Sequence, residues 1–132
     1  YEGHCQALTD KGHRPIEALQ IDFLDGYENL DLLDVVENVR PSAIIASNDL
    51  LALGVIGALR RHGLSVPDHI SVCGLDGISI GRLLDRPLTT IRMPDADMGT
   101  AAAALLLDIA ENAAKPRHLR VGFQLFAGAT VA

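Results

Sequence analysis

The chain has 132 residues, of which 48% are hydrophobic and 21% charged, and its net charge is −6. A chain of this length and composition is expected to form one soluble globular domain. The acidic balance argues against a nucleic-acid-binding surface, which needs clustered lysine and arginine.

Alternating helix and strand patterns run along the chain. A short helix is expected over 2–12, closed by Gly12. Apolar residues at helical spacing over 27–39 predict a second helix, which ends before Pro41 because the residue preceding a proline disfavours helical backbone. The other predicted elements are strands at 18–23, 42–46, 69–74, 87–91 and 119–126, helices at 48–62 and 95–114, and a loop with one helical turn at 75–87. Strands alternating with helices at this spacing imply a parallel sheet.

Cysteine usage and hydropathy indicate the compartment. Cys5 and Cys73 stand alone, with no Cys-x-x-Cys spacing, which is typical of buried thiols in a reducing environment. The most apolar stretch, 101–107, is too short to cross a bilayer, and no secretory leader is visible. We therefore expect a cytoplasmic protein without membrane association. Because the chain opens without methionine on a helix-like pattern, we also expect it to be a piece of a longer protein.

The predicted helix at 48–62 is apolar on almost every face. Ser47 or Asn48 can cap its free amides, and Asp49 complements the positive end of the helix dipole. A helix without a polar side must be covered on both sides. One side can pack on the sheet, and we expect a second subunit to cover the other.

Two polar side chains follow neighbouring predicted strands. Asn48 comes just after the strand at 42–46, and Asp76 just after the strand at 69–74. Because side chains past the carboxyl ends of parallel strands line the ligand crevice, both are candidates for binding a polar small molecule. Simpler interpretations stay open: Asn48 also suits a helix cap, and Asp76 a turn. Their amide and carboxylate groups would hydrogen-bond sugar hydroxyls or nucleobase nitrogens.

Three further residues occupy strand ends. Phe23 closes the strand at 18–23 and suits either the core or a platform for a ring or sugar face. Met93 and Asp95 follow the strand at 87–91, where they would complete the crevice.

Enzyme chemistry finds little support. The five histidines are scattered without metal-ligand spacing, and no glycine-rich phosphate loop, dinucleotide fingerprint or nucleophile elbow is present. Asp49 and Asp76 would suit an acid/base pair, but no nucleophile accompanies them. We expect a protein that is not an enzyme and that carries neither metal nor cofactor.

Three motifs resemble the effector-binding domain of the LacI/GalR family of transcription regulators. They are Ser-Asn-Asp-x-x-Ala-Leu-Gly at 47–54, Val-Pro-x-x-Ile-Ser-Val-x-Gly-x-Asp at 66–76 and Pro-Leu-Thr-Thr-Ile at 87–91. The resemblance implies an α/β fold with a parallel sheet flanked by helices on both faces. This is the C-terminal subdomain of a type I periplasmic-binding-protein-like fold.

The resemblance also implies a division of the chain. Residues 1–92 and 116–132 would form the C-terminal subdomain, and the helix within 93–115 would pack on an N-terminal subdomain that is mostly missing. The apolar stripe of that helix would then be exposed. Since large exposed apolar patches normally find a partner, we expect an oligomer in which this helix is covered.

Family positions map onto particular residues. Phe23, Asn48 and Asp76 resemble the family's strand-end aromatic, amide and carboxylate effector contacts, and Met93 stands where many members carry glutamine. The family's dimer surface would correspond to Leu50, Leu53, Ile56, Leu83 and Leu84.

The function implied is the ligand-sensing and dimerisation portion of a transcription regulator. A small polar effector, a sugar or nucleobase-like molecule, would favour one closure state of the subdomains and so control DNA binding. The chain would form a homodimer or higher homo-oligomer and reach DNA only through a missing N-terminal helix-turn-helix. The alternative is a periplasmic sugar-binding protein of a transport system, which shares the fold. The Pro-Leu-Thr-Thr-Ile motif and the apolar helix favour the regulator.

Overall fold

The computed structural model describes residues 2–14, 30, 32–112, 115 and 118–132. Its elements, in chain order, are α1 (Glu2–Asp10), α2 (Leu33–Asn38), β1 (Ala43–Ile45), α3 (Asp49–Arg61), β2 (Ser71–Asp76), a 3₁₀ helix (Ser79–Leu83), β3 (Thr89–Arg92), α4 (Asp95–Asn112) and β4 (Gln124–Phe126). The predicted strand at 18–23 lies outside the described residues. So do 27–29 and 31 of the helix predicted over 27–39.

The four strands form one sheet in the order β1-β2-β3-β4. β1, β2 and β3 are parallel, whereas β4 runs antiparallel to β3. The predicted α/β class, with a sheet flanked by helices, is therefore confirmed, although the sheet is mixed. The chain leaves β3 at Arg92 and enters β4 at Gln124, directly opposite. Because α4 thus returns the chain to the edge it left, β4 has to run backwards.

β4 is shorter than the strand predicted at 119–126. Its pairing starts with Gln124 opposite Arg92, the last residue of β3. Residues 119–123 therefore extend past the end of the neighbouring strand, and their alternating pattern does not form a ladder with it.

α3 supplies the largest part of the core and packs on β2. Its buried apolar side chains recur on one face, at Leu51, Ala52, Val55, Ala58 and Leu59. This spacing is the stripe of an amphipathic helix. The helix also carries apolar side chains away from this stripe, which is why its sequence looks apolar all round. Leu50 is exposed, and Ile56 is partly buried against the core.

The C-terminal tail, residues 127–132 after β4, is inserted beside the amino ends of β2 and β3. The Val72 amide donates to the Thr130 carbonyl oxygen (2.8 Å). The buried Thr130 Oγ1 donates to the Val72 carbonyl (2.7 Å) and accepts from the Thr89 amide (2.9 Å). Strand ends that would otherwise leave buried polar groups unpaired are satisfied in this way. The tail therefore stabilises the edge of the sheet opposite the loops that follow the strands.

α4 carries exposed apolar side chains, including Leu106 (68% exposed) and Leu107 (58%). This exposure is what the division into 1–92, 116–132 and a separately packed 93–115 requires, but the division itself remains a prediction. Within the described part of the chain, no helix has the length and apolarity needed to cross a membrane.

Candidate functional site

The carboxyl ends of the three parallel strands meet at one edge of the sheet. Asn48 follows β1, Asp76 is the last residue of β2, and Met93 follows β3. The register pairs Ile45 with Cys73, so Asn48 and Asp76 each come three residues after a matched pair. The structure thus brings these three predicted site residues to the same edge. Phe23, the fourth, lies outside the described residues.

Asn48 is the N-cap of α3. Its Oδ1 accepts a hydrogen bond from the Leu51 amide at 2.7 Å, and the side chain is half-buried. Capping, the simpler interpretation, is therefore part of its role. Because the cap bond uses Oδ1 of Asn48, its Nδ2 is the atom that would contact a solute.

Asp76 presents an exposed carboxylate on an unusual backbone. Its φ is 120°, in the region that favours glycine, and the following Gly77 has φ 75°. A residue with a side chain held in such a region costs about 1–3 kcal/mol, and strain of this kind concentrates at ligand sites. The local structure therefore has to hold Asp76 in place.

Asp49 has a structural role beside the site that the sequence analysis did not predict, having considered it only for the helix dipole and as part of an acid/base pair with Asp76. Its carboxylate is fully buried at the start of α3. Oδ2 accepts from the Ile78 amide at 2.7 Å, and Oδ1 accepts from Thr90 Oγ1 at 2.5 Å. Burying a carboxylate is costly unless it is hydrogen-bonded, and these bonds together with the helix dipole compensate the charge. The sequence signal was an acidic residue at the first position of an almost wholly apolar helix.

A glycine in β2 makes room for this carboxylate. A Cβ at Gly74 would overlap Asp49 Oδ1 and lie 3.2 Å from Asp49 Cα. Only a residue without a side chain allows α3 to approach β2 so closely. Being buried and surrounded in this way, Asp49 is not placed to act on a solute with Asp76 as an acid/base pair.

Cys73 lies in β2 beside the same carboxylate. Burial, and to a smaller extent the charge of Asp49, raise the pKa of its thiol. Because the thiolate is the reactive form, alkylation of Cys73 by iodoacetamide should begin at higher pH than alkylation of glutathione. Mass spectrometry of a Cys5→Ser variant across neutral to alkaline pH measures this profile. Asp49→Asn should shift it partway back, and a profile that coincides with glutathione contradicts the expectation.

An open depression continues this edge of the sheet between the start of α4 and the start of β4. It is lined by Arg92, Met93, Pro94, Asp95, Ala96, Asp97, Gly122, Phe123 and Gln124. Met93 is half-buried here, and Phe123 is 68% exposed. The sequence analysis treated Phe123 only as a residue of the predicted strand at 119–126. It is exposed because β4 begins only at Gln124. It adds an aromatic surface to the depression.

The five residues predicted at a dimer surface fall into two groups. Leu50 and Leu83 are exposed, Leu83 at 83%. Ile56 and Leu84 are partly buried against the core, and Leu53 is half-buried. Their role in an interface remains a prediction. Among the described residues, no three histidine, cysteine, aspartate or glutamate side chains are grouped so that they could hold a metal ion.

In open α/β sheets, ligands bind in the crevice outside the carboxyl ends of the strands, which is the edge where Asn48, Asp76 and Met93 lie. Residues 4–131 match the family model of the periplasmic binding protein-like domain. The chain belongs to this family, within its LacI/GalR branch of transcription regulators.

Similar proteins include transcriptional repressors. The chain is 35% identical over 112 residues to the HTH-type transcriptional repressor PurR of Pasteurella multocida, covering 82% of this chain and 33% of the relative. It is 40% identical over 98 residues to PurR of Mannheimia succiniciproducens, covering 74% and 29%. The chain thus spans about a third of the length of these relatives.

Solved structures agree with this assignment. The lac repressor dimer bound to operator and the anti-inducer ONPF superimposes with a TM-score of 0.85 at 26% identity, covering 98% of this chain and 46% of that one. A LacI family regulator from Arthrobacter sp. FB24 in complex with lactose gives 0.80 at 25% identity, covering 99% and 50%.

Proposed function

We propose that this chain is the ligand-sensing and dimerisation portion of a LacI-type transcription regulator. The observation that carries the proposal is the match of residues 4–131 to a family whose similar members are named as repressors. A small polar effector binds at the carboxyl edge of the sheet and controls DNA binding by a helix-turn-helix outside this chain. The domain performs no catalysis and works in the cytoplasm.

Asp76 and Asn48 supply the polar contacts in this proposal. The exposed Asp76 carboxylate accepts hydrogen bonds from hydroxyl or ring N–H groups, and the Asn48 amide nitrogen donates. Met93 and Phe123 offer apolar surface to a sugar face or a nucleobase, as Phe23 would at the end of its predicted strand. A sugar or a nucleobase-like molecule fits this combination of groups.

Control of DNA binding follows from linkage in this scheme. An effector that binds one closure state of a two-lobed domain more tightly shifts the equilibrium towards that state. The exposed apolar side chains of α4 provide the surface on which the second lobe packs, and α4 then moves with that lobe. Leu50 and Leu83 lie on the surface that joins two subunits, so the closure state of each subunit reaches its partner.

A periplasmic sugar-binding protein of a transport system is the weaker alternative. The similar proteins are named as transcriptional repressors, and one solved relative is a dimer on operator DNA. The two functions differ in one simple observation, because only the regulator binds a specific DNA site in an effector-dependent way.

Calorimetric titration of the protein in its full genomic length tests the effector site. The panel comprises lactose, glucose, ribose, adenine and guanine. For the compound that binds, Asp76→Asn should weaken affinity about tenfold or more, the usual effect of losing hydrogen bonds to a charged group. Glu37→Gln is the matched control, since Glu37 is exposed in the last turn of α2, before β1 begins. Equal affinity of Asp76→Asn and the unmodified protein would falsify this site.

A further inference from the structure

Asp49 connects β3 to the chain segments that follow β1 and β2. It starts α3 directly after β1, its Oδ2 accepts from the Ile78 amide beyond β2, and its Oδ1 accepts from Thr90 in β3. All of these contacts lie at the edge of the sheet that holds the proposed effector site. The carboxylate itself is fully buried and does not reach that site.

The two residues that follow Asp76 are both held by this arrangement. The Gly77 amide donates to Thr90 Oγ1 at 3.3 Å, and the Ile78 amide donates to Asp49 Oδ2 at 2.7 Å. Because Thr90 Oγ1 also donates to Asp49, both bonds depend on the same carboxylate. The backbone of Asp76, at φ 120°, is therefore followed by two anchored amides. Strained backbone persists only where its surroundings determine it in this way.

Asn48 lies next to Asp49 in the chain and has an anchor of its own. It directly precedes Asp49, and its cap bond to Leu51 fixes it to the first turn of α3. Movement of the Asp49 carboxylate would therefore disturb Asp76, through the residues that follow it, more than Asn48. Asn48 has its cap as a second anchor. Asp76 is paired with Arg92 at the end of β2, and the residues that follow it are fixed by their bonds to Thr90 and Asp49.

We propose that Asp49 is a positioning residue that holds Asp76 in its effector-binding orientation through Ile78, Thr90 and Gly77. This inference rests on the proposed function, since it explains how that site is pre-organised. A site ordered before binding loses less conformational entropy when the effector arrives. Asp49 contributes to affinity without contacting the effector.

Hydrogen–deuterium exchange of the unliganded full-length protein tests the positioning without any effector. In Asp49→Ala, exchange at Gly77 and Ile78 should accelerate about tenfold or more relative to the amides of 128–132, because the charged acceptor is lost. Asp49→Asn should restore part of the protection, since its amide oxygen can still accept from Ile78. Equal acceleration in both segments would show general destabilisation and overturn the proposal.

Thr90 offers a second route that leaves Asp49 unchanged. Thr90→Val removes the hydroxyl between Asp49 and Gly77, and Thr90→Ser keeps it. The ligand is the compound among lactose, glucose, ribose, adenine and guanine that binds the unmodified protein. Thr90→Val should weaken its affinity about fivefold or more, as expected for one lost hydrogen bond. Thr90→Ser should bind it with unchanged affinity. Thr130→Val, at the opposite edge of the sheet, is the matched control and should lower stability without changing affinity.

A double-mutant cycle separates positioning from a purely structural role. If Asp49 and Thr90 act through Asp76, Thr90→Val should cost no further affinity in an Asp76→Asn background. Additive losses would overturn the inference, as would a loss of affinity in Thr130→Val equal to that in Thr90→Val. Binding of none of the five compounds would count against the proposed function, and the exchange measurement would then decide the positioning of Asp76 by itself.

Discussion

Replacing Gly128 with alanine should destabilise the protein by about 3 kcal/mol or more, at the upper end of the cost of overpacking. A Cβ at this position would overlap the Pro87 carbonyl oxygen and lie 2.5 Å from the carbonyl carbon of Leu88. Both contacts are with backbone, which cannot rotate away as a side chain would. The Ala129 amide also donates to the Pro87 carbonyl at 2.6 Å, so the tail cannot move outwards without losing this bond.

Urea denaturation followed by circular dichroism measures this loss. Gly122→Ala is the control, because a Cβ at Gly122 meets no atom within 4 Å, and its midpoint should stay close to that of the unmodified protein. If Gly128→Ala and Gly122→Ala unfold at the same urea concentration, the tail does not pack beside β3 as described.

Gly74→Ala should be comparably damaging, by about 3 kcal/mol or more, since overpacking is combined with the loss of buried hydrogen bonds to a carboxylate. The new methyl would occupy the space of Asp49 Oδ1 and press on the Asp49 backbone. Either the carboxylate leaves Ile78 and Thr90, or α3 moves away from β2. Both responses remove contacts on which the core and the proposed site depend.

The same denaturation measurement includes two comparisons. Gly57→Ala in α3 should stabilise by about 0.5–1 kcal/mol, because alanine favours the helix and its Cβ would lie 3.7 Å from Arg61 Nη1, an ordinary contact. In an Asp49→Ala background the overlapping carboxylate is gone, so adding Gly74→Ala should cost much less than it does alone. Full additivity of the two changes would contradict the close approach of Asp49 to Gly74.

The polar residues of the candidate site could be placed from the sequence because their positions follow from local pattern. Short apolar runs end just before Asn48 and Asp76, and the carboxyl ends of parallel strands share one edge. The conformation of these residues could not be predicted in the same way. The φ of 120° at Asp76 depends on bonds made by the following residues to Asp49 and Thr90.

The order of the helices and strands that the structure describes, the α/β class and the edge that carries the polar side chains were determined by the sequence alone. Each depends on periodicity and on glycine and proline signals within a few neighbouring residues. Tertiary structure alone decided the reversal of β4, the insertion of the tail and the burial of Asp49. These features depend on pairs far apart in the chain, such as Asp49 with Thr90 and Val72 with Thr130. Such pairs meet only after the sheet has assembled, and no local pattern records which partner a buried oxygen will find.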